Sequence, residues 1–132
     1  MEMTSVDGYS VILAAVLYMV IHTVWFSKSL FGPIWIRYVG SSEADSKVDA
    51  AQMAWGTLNA VVIAYFLAFF EGCLGVTTVS DGMFVAFCFW LGFVATTQIN
   101  AVIWRKSPWP AFFINTGVKL VSYLVMGGIL GA

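Results

Sequence analysis

The chain has 132 residues, of which 61% are hydrophobic and 10% are charged, and its formal net charge is −1. Soluble domains contain about 25% charged residues, so a chain this apolar is expected to have a lipid bilayer as its solvent. The charge balance excludes a general electrostatic attraction to nucleic acid. Spanning the ~30 Å hydrocarbon core takes roughly 20 residues, so four spans with their connections would use the whole chain. We therefore expect one four-helix transmembrane domain over residues 1–132 and no conventional enzyme.

Four apolar runs follow one another along the chain. They are residues 9–26, 53–70, 83–104 and 110–130. Each has nearly the length of a membrane-crossing helix, and a helix satisfies its backbone polar groups internally, as lipid requires. The predicted fold class is all-α: a polytopic membrane protein with four transmembrane helices.

The first connection is the longest and contains the signal of a short helix. Pro33 suits the first turn of a helix and Gly40 suits its end, so residues 31–39 are expected to form a helix in the membrane interface. Ser42 and Asp45 then have the spacing of a capping box. This spacing predicts that the second membrane helix begins in water, about two turns before lipid.

The basic residues between the apolar runs lie in two of the three connections. The first connection contains Lys28, Arg37 and Lys47, and the third contains Arg105 and Lys106. The N-terminus, the second connection and the C-terminus contain none. The positive-inside rule places both basic connections in the cytoplasm and therefore both termini outside it.

Rows of small residues occur in two of the runs. The second run has Gly56, Ala60, Ala64 and Ala68 at four-residue spacing, and the fourth has Gly127 and Gly131 in a Gly-x-x-x-Gly pattern. Small residues allow helices to approach closely. These rows indicate either packing within the chain or contacts in a homo-oligomer. The expected partners are thus the lipid bilayer, a second copy, or a larger membrane complex.

Several motifs resemble one known family. They are Trp25-Phe26-Ser27, Phe31-Gly32 and Trp35 around the first connection, Gly92-Phe93 in the third run, and Gly117 and Met126-Gly127 in the fourth. With these residues the chain resembles, over nearly its whole length, a bacterial membrane-protein family catalogued only as a domain of unknown function. The resemblance implies a four-span protein of the bacterial inner (plasma) membrane. It implies no catalytic residue.

Polar side chains recur at similar depths in all four predicted helices. About 6–9 Å from the predicted cytoplasmic ends of the helices, at ~1.5 Å per helical residue, come His22, Asn59, Asn100 and Asn115. About one turn deeper come Tyr18, Thr96 and Lys119. Residues four apart share a helix face, so three pairs of these residues can turn inward together. They would then either hydrogen-bond the helices to one another or line a polar cavity open to the cytoplasm.

Lys119 is the most informative of these residues. It is predicted ~13 Å from the start of its span, where a charged lysine costs from ~3 to over 10 kcal/mol unless it is relieved. No Asp or Glu is expected at its depth, since Glu71 lies near the opposite end of its helix. Four alternatives remain open: a neutral amine, a water-filled cavity, aromatic faces such as Trp90 or Tyr18, or a bound anion.

These observations lead to one main functional expectation. The chain is expected to be a small transporter or channel-like protein that binds an anionic or carboxylate-bearing solute in a cytoplasm-facing cavity. The predicted binding residues are Lys119, Asn115, Asn100, Asn59, His22, Tyr18 and Thr96, and no metal or cofactor is expected. The alternative is a structural or accessory subunit of a larger membrane complex, in which the polar residues only hold the bundle together.

Overall fold

A computed structural model describes residues 6–27, 30–39 and 49–132 of the chain. In these residues the helices in chain order are α1 (Gly8–Trp25), α2 (Gly32–Val39), α3 (Ala50–Cys73), α4 (Val79–Arg105) and α5 (Trp109–Gly131). All except α2 are long and apolar enough to cross a membrane. The predicted all-α membrane fold is therefore confirmed, and the short helix predicted in the first connection is present as α2.

Side chains at the starts of α1, α3 and α4 satisfy backbone N–H groups that have no partner within the helix; at α4 the Thr78 hydroxyl accepts from the Asp81 N–H at 3.2 Å. The Asp7 carboxylate accepts hydrogen bonds from the Tyr9 N–H at 3.1 Å and the Ser10 hydroxyl at 2.8 Å. Asp49 and Gln52 form a reciprocal capping box at the start of α3. The capping box predicted at residues 42–45 lies outside the described residues, so α3 is described only from its Asp49 cap onward.

Helix α5 is the central element of the described bundle. It packs against α4 on one side and against α1 on the other, and α1 in turn packs against α3. Helices α3 and α4 are joined by a short connection but make few contacts with each other. An apolar cleft of about 270 Å³ lies between them. Its lining includes Val62, Phe66, Leu67, Phe70, Phe89, Phe93 and Tyr123.

Small residues allow the closest helix contacts. Ala14 and Ala15 of α1 and Ala60 and Ala64 of α3 are buried in one apolar cluster. Where α4 crosses α5, a Cβ on Gly82 would overlap the carbonyl oxygen of Gly127, and one on Gly131 would lie 2.6 Å from the Thr78 carbonyl oxygen. Residues from both predicted small-residue rows thus pack within the chain, while the homo-oligomer stays a prediction.

Helix α4 changes its winding in the middle. Residues Trp90–Ala95 form a π-helical segment, a feature that is often found at functional sites. The Thr96 hydroxyl donates to the Gly92 carbonyl oxygen at 2.7 Å within this region. Trp90, the first residue of the segment, donates its indole N–H to the carbonyl oxygen of Thr116 on α5 at 3.0 Å. The Thr116 hydroxyl in turn donates to Oε1 of Gln98, three residues after the segment, at 2.9 Å. The segment therefore lies where α4 is bonded to the central helix.

Candidate functional site

Lys119 of α5 is hydrogen-bonded to two side chains of α1. Its Nζ atom donates to the Tyr18 hydroxyl at 2.6 Å and lies 2.9 Å from Nε2 of His22. It also lies 5.1 Å from the centroid of the Tyr18 ring, within the range of a cation–π interaction. Tyr18 and His22 are one helical turn apart, and their rings stack with centroids 4.0 Å apart. Together the three residues form a polar cluster between α1 and α5.

The hydrogen bonds of His22 define its tautomer. Nδ1 lies 2.9 Å from the Tyr18 carbonyl oxygen, which can only accept, so Nδ1 bears the hydrogen. Nε2 is then the unprotonated nitrogen of a neutral ring, and it accepts a hydrogen bond from Lys119. Ser122 of α5 has its hydroxyl oxygen 3.5 Å from Nδ1. The ring orientation is therefore fixed by the backbone of α1 and presents an acceptor to the ammonium group.

The positive charge of Lys119 has no carboxylate neighbour within the described part of the chain. Glu71 instead lies beside Gly127, where its Oε1 is 3.2 Å from the position of a Cβ. Gly127 follows Lys119 by eight residues on α5, or about 12 Å at 1.5 Å per residue. Lys119 is half-buried, and in its charged form it has three N–H donors, two of which are engaged by Tyr18 and His22. One N–H remains for another acceptor, such as the oxygen of a bound anion.

Two indole groups fix α5 one turn before Lys119. Trp25 of α1 donates its indole N–H to the Ile114 carbonyl oxygen at 3.0 Å, and its ring lies beside Gly117. Trp90 of α4 makes the equivalent bond to Thr116 from the other side. A helix carbonyl can accept a second hydrogen bond because it has two lone pairs. These contacts position the central helix between its two neighbours.

Polar cavities occupy the end of the bundle at which α1 and α4 finish, called here the basic end. One cavity of about 450 Å³ is lined by residues that include Trp35, Gln98, Arg105, Lys106 and Asn115. A second, of about 470 Å³, is lined by Thr97, Gln98, Asn100, Ala101, Trp104, Arg105 and Asn115. Asn115 borders both and precedes Lys119 by one helical turn. The basic end thus combines amide groups with cationic side chains.

The structure divides the seven predicted binding residues into three groups. Tyr18, His22 and Lys119 are brought together. Asn115 lines both cavities at the basic end, and Asn100 lines one of them. Asn59 and Thr96 are exposed on the surfaces of α3 and α4, outside the cluster around Lys119. The expected inward face shared by Thr96 and Asn100 is therefore not found, and any binding role of Asn59 and Thr96 stays a prediction.

The sequence reasoning missed three buried polar residues: Thr116, Ser122 and, the only one of them with an ionisable carboxyl group, Glu71. Its side chain is 2% exposed, although it is only two residues from the end of α3. Its position could have been found from spacing, because Ala60, Ala64, Leu67 and Glu71 fall on one buried face of the helix. Among the described residues, no group of His, Cys, Asp and Glu side chains is arranged to hold a metal ion.

Comparison with curated proteins and with solved structures found no match. A comparison with protein-family models matched residues 9–131 to the family described as "Protein of unknown function (DUF1761)". The matched residues include all four membrane-length helices almost completely. By this match and this fold, the chain belongs to the uncharacterised family DUF1761.

Proposed function

We propose that this chain is a small membrane transport protein that binds an anionic or carboxylate-bearing solute at Lys119. The observation that supports this most is the polar cluster of Lys119, Tyr18 and His22 inside the membrane-length helices. A fixed cation with one N–H to spare can bind a carboxylate through a charge-assisted hydrogen bond.

The energetic reason concerns the cost of a charge in the membrane. A lysine ammonium near the middle of a bilayer costs from about 3 to over 10 kcal/mol, and such residues usually mark solute or ion pathways. Tyr18 and His22 supply hydrogen bonds but no negative charge. An anionic solute would supply that charge, so its binding would be favoured by the site as it is built.

The approach to this site would be from the basic end. Arg105 and Lys106 line the cavity there and would attract an anion, and Asn115 lies one turn before Lys119. The positive-inside rule supports placing this end in the cytoplasm and both termini outside it. The proposed setting is the bacterial inner (plasma) membrane, and the proposal assigns no residue a catalytic role.

A second candidate is a structural or accessory subunit of a larger membrane complex. It is favoured by the same cluster, since Tyr18 and His22 already provide Lys119 with two hydrogen bonds that join α1 to α5. Hydrogen bonds between membrane helices are worth about 0.6 kcal/mol on average. In that case the cluster would hold the bundle together and would bind no solute.

Ligand binding by Lys119 variants distinguishes the two candidates. The full chain in lipid nanodiscs would be titrated with acetate, benzoate and inorganic phosphate while its thermal unfolding is followed. A ligand that binds the folded state at 100 times its dissociation constant stabilises that state by about 2.7 kcal/mol. We expect a rise in unfolding temperature with a carboxylate, its loss in Lys119→Met and its retention in Lys119→Arg. No shift with any probe, or an equal shift in Lys119→Met, would contradict the solute site and favour the accessory role.

A further inference from the structure

The most unusual buried group outside the Lys119 cluster is the side chain of Glu71. Both of its carboxyl oxygens are buried and have no hydrogen-bond partner among the described residues. It lies at the end of the bundle opposite the basic end, in the contact of α3 with α5. An ionised carboxylate accepts hydrogen bonds at about four lone-pair positions, all of which would be unsatisfied here. Burying an ionised carboxylate unpaired is strongly unfavourable, and a group in that position takes up a proton instead.

The groups around Glu71 supply acceptors. A Cβ on Gly127 would lie 3.2 Å from Glu71 Oε1 and 2.5 Å from the Gly82 carbonyl oxygen, so both oxygens border the same glycine. No hydrogen-bond donor among the described residues reaches either carboxyl oxygen, so the buried group is favoured when it bears a hydrogen itself. A carboxylic acid has that hydrogen and needs no countercharge. We propose that Glu71 is a proton-binding site, which holds a proton while α3, α4 and α5 are packed as described.

The connection after α3 folds back at the end of the helix that bears Glu71. Glu71 accepts a hydrogen bond through its backbone oxygen from the Val76 N–H at 3.0 Å, which folds residues 72–75 back over the helix end. Gly75 has a φ of +73°, a conformation that favours glycine at this turn. The Val76 side chain also lies against Gly131, where an added Cβ would be 2.9 Å from it. Local opening of this connection would let water reach Glu71 and take its proton.

The titratable groups nearby do not supply a countercharge. On α5, Tyr123 is half-buried one turn before Gly127. On α1, Asp7 is exposed and caps the helix, while Tyr18 is bonded to Lys119. On α4, Asp81 is exposed near the helix start. Lys119 is the nearest described cation along α5, about 12 Å away by helical rise.

Infrared spectroscopy of the full chain in nanodiscs tests the proposal directly. The C=O stretch of a protonated carboxylic acid is separate from the bands of a carboxylate. At neutral pH we expect the acid band in the wild type and in Asp81→Asn, and its absence in Glu71→Gln. Raising the pH should replace the acid band with carboxylate bands. Incorporation of glutamate with a 13C carboxyl group should shift the band, which assigns it to a glutamate even if Glu71→Gln fails to fold.

Two outcomes would overturn the proposal. The first is a Glu71 signal that is carboxylate throughout the titration. The second is a carboxylate signal at neutral pH that requires added sodium, which would make the site one for a metal cation. The proposal is independent of the solute site, because Lys119→Met is expected to leave the acid band unchanged. A missing acid band would therefore not contradict the Lys119 hypothesis. Equally, a failure to detect solute binding at Lys119 would not contradict the proposal for Glu71.

Discussion

His22 and Lys119 are 97 residues apart in the chain, yet Nε2 of the imidazole lies 2.9 Å from Nζ of the ammonium group. The imidazole can accept this bond because its other nitrogen is engaged with the Tyr18 backbone oxygen. The contact joins the first membrane helix to the last one. Because of this bond, the side chain of Lys119, which lies within the membrane-length helix α5, faces α1.

Removal of the Tyr18 hydroxyl is expected to weaken the bundle. In Tyr18→Phe, the Lys119 ammonium loses its 2.6 Å hydrogen bond, while the ring that stacks on His22 remains. Hydrogen bonds between membrane helices are worth about 0.6 kcal/mol on average and up to about 1.7. We expect the free energy of unfolding to fall by about 1 kcal/mol, measured by denaturant titration in detergent micelles.

A double-mutant cycle provides the control for this prediction. In a Lys119→Met background the hydroxyl has no ammonium to bind, so Tyr18→Phe should cost much less there than in the wild type. Equal costs in the two backgrounds would show that the hydroxyl acts through another contact.

The two indole hydrogen bonds to α5 are expected to stabilise the central helix. Trp25→Phe and Trp90→Phe each remove a hydrogen bond to a backbone oxygen of α5. Such bonds contribute about 0.5–1.5 kcal/mol. Trp104→Phe is the matched control, because Trp104 is 78% exposed. We expect the unfolding free energy to decrease in the first two variants and to change little in the third; a larger loss in Trp104→Phe would contradict these roles.

The glycine contact between α4 and α5 is expected to tolerate no side chain. A methyl group at Gly82 would overlap the Gly127 backbone, so Gly82→Ala must push the helices apart at a cost of about 1–3 kcal/mol or more. Gly92 is also on α4, but nothing lies within 4 Å of its Cβ position. Gly92→Ala should therefore change stability by no more than about 1 kcal/mol. Similar losses in both variants, measured by thermal unfolding, would contradict the close crossing.

Much of the fold could be predicted because membrane-spanning helices are set by length and composition. The run at residues 9–26 corresponds to Gly8–Trp25, and the run at residues 110–130 corresponds to Trp109–Gly131. Tyr18 and Lys119 are also predicted at one depth, with His22 about one turn away, because depth follows from helical rise alone.

Which side chains of each helix face the interior of the bundle could not be predicted equally well. A helix that is apolar all round has no polar stripe to distinguish its inner face, so Asn59 and Thr96 gave no indication that they are exposed. The π-helical segment at Trp90–Ala95 also changes which residues before and after it share one face of α4. Glu71 is predicted near a connection from its position in the chain, whereas its burial depends on how α3 packs against Gly127 of α5.

Accessibility of position 119 to water tests the central claim most directly. In a background in which Cys73 and Cys88 are replaced by serine, single cysteines would be introduced by Asn115→Cys, Lys119→Cys and Val121→Cys. Val121 is the control, because it is exposed on the outer surface of α5, where lipid would surround it. A charged, membrane-impermeant thiol reagent applied from the basic end is predicted to label positions 115 and 119 but not 121. Labelling at 115 without labelling at 119 would show that water does not reach the Lys119 cluster, and would contradict the proposed solute site.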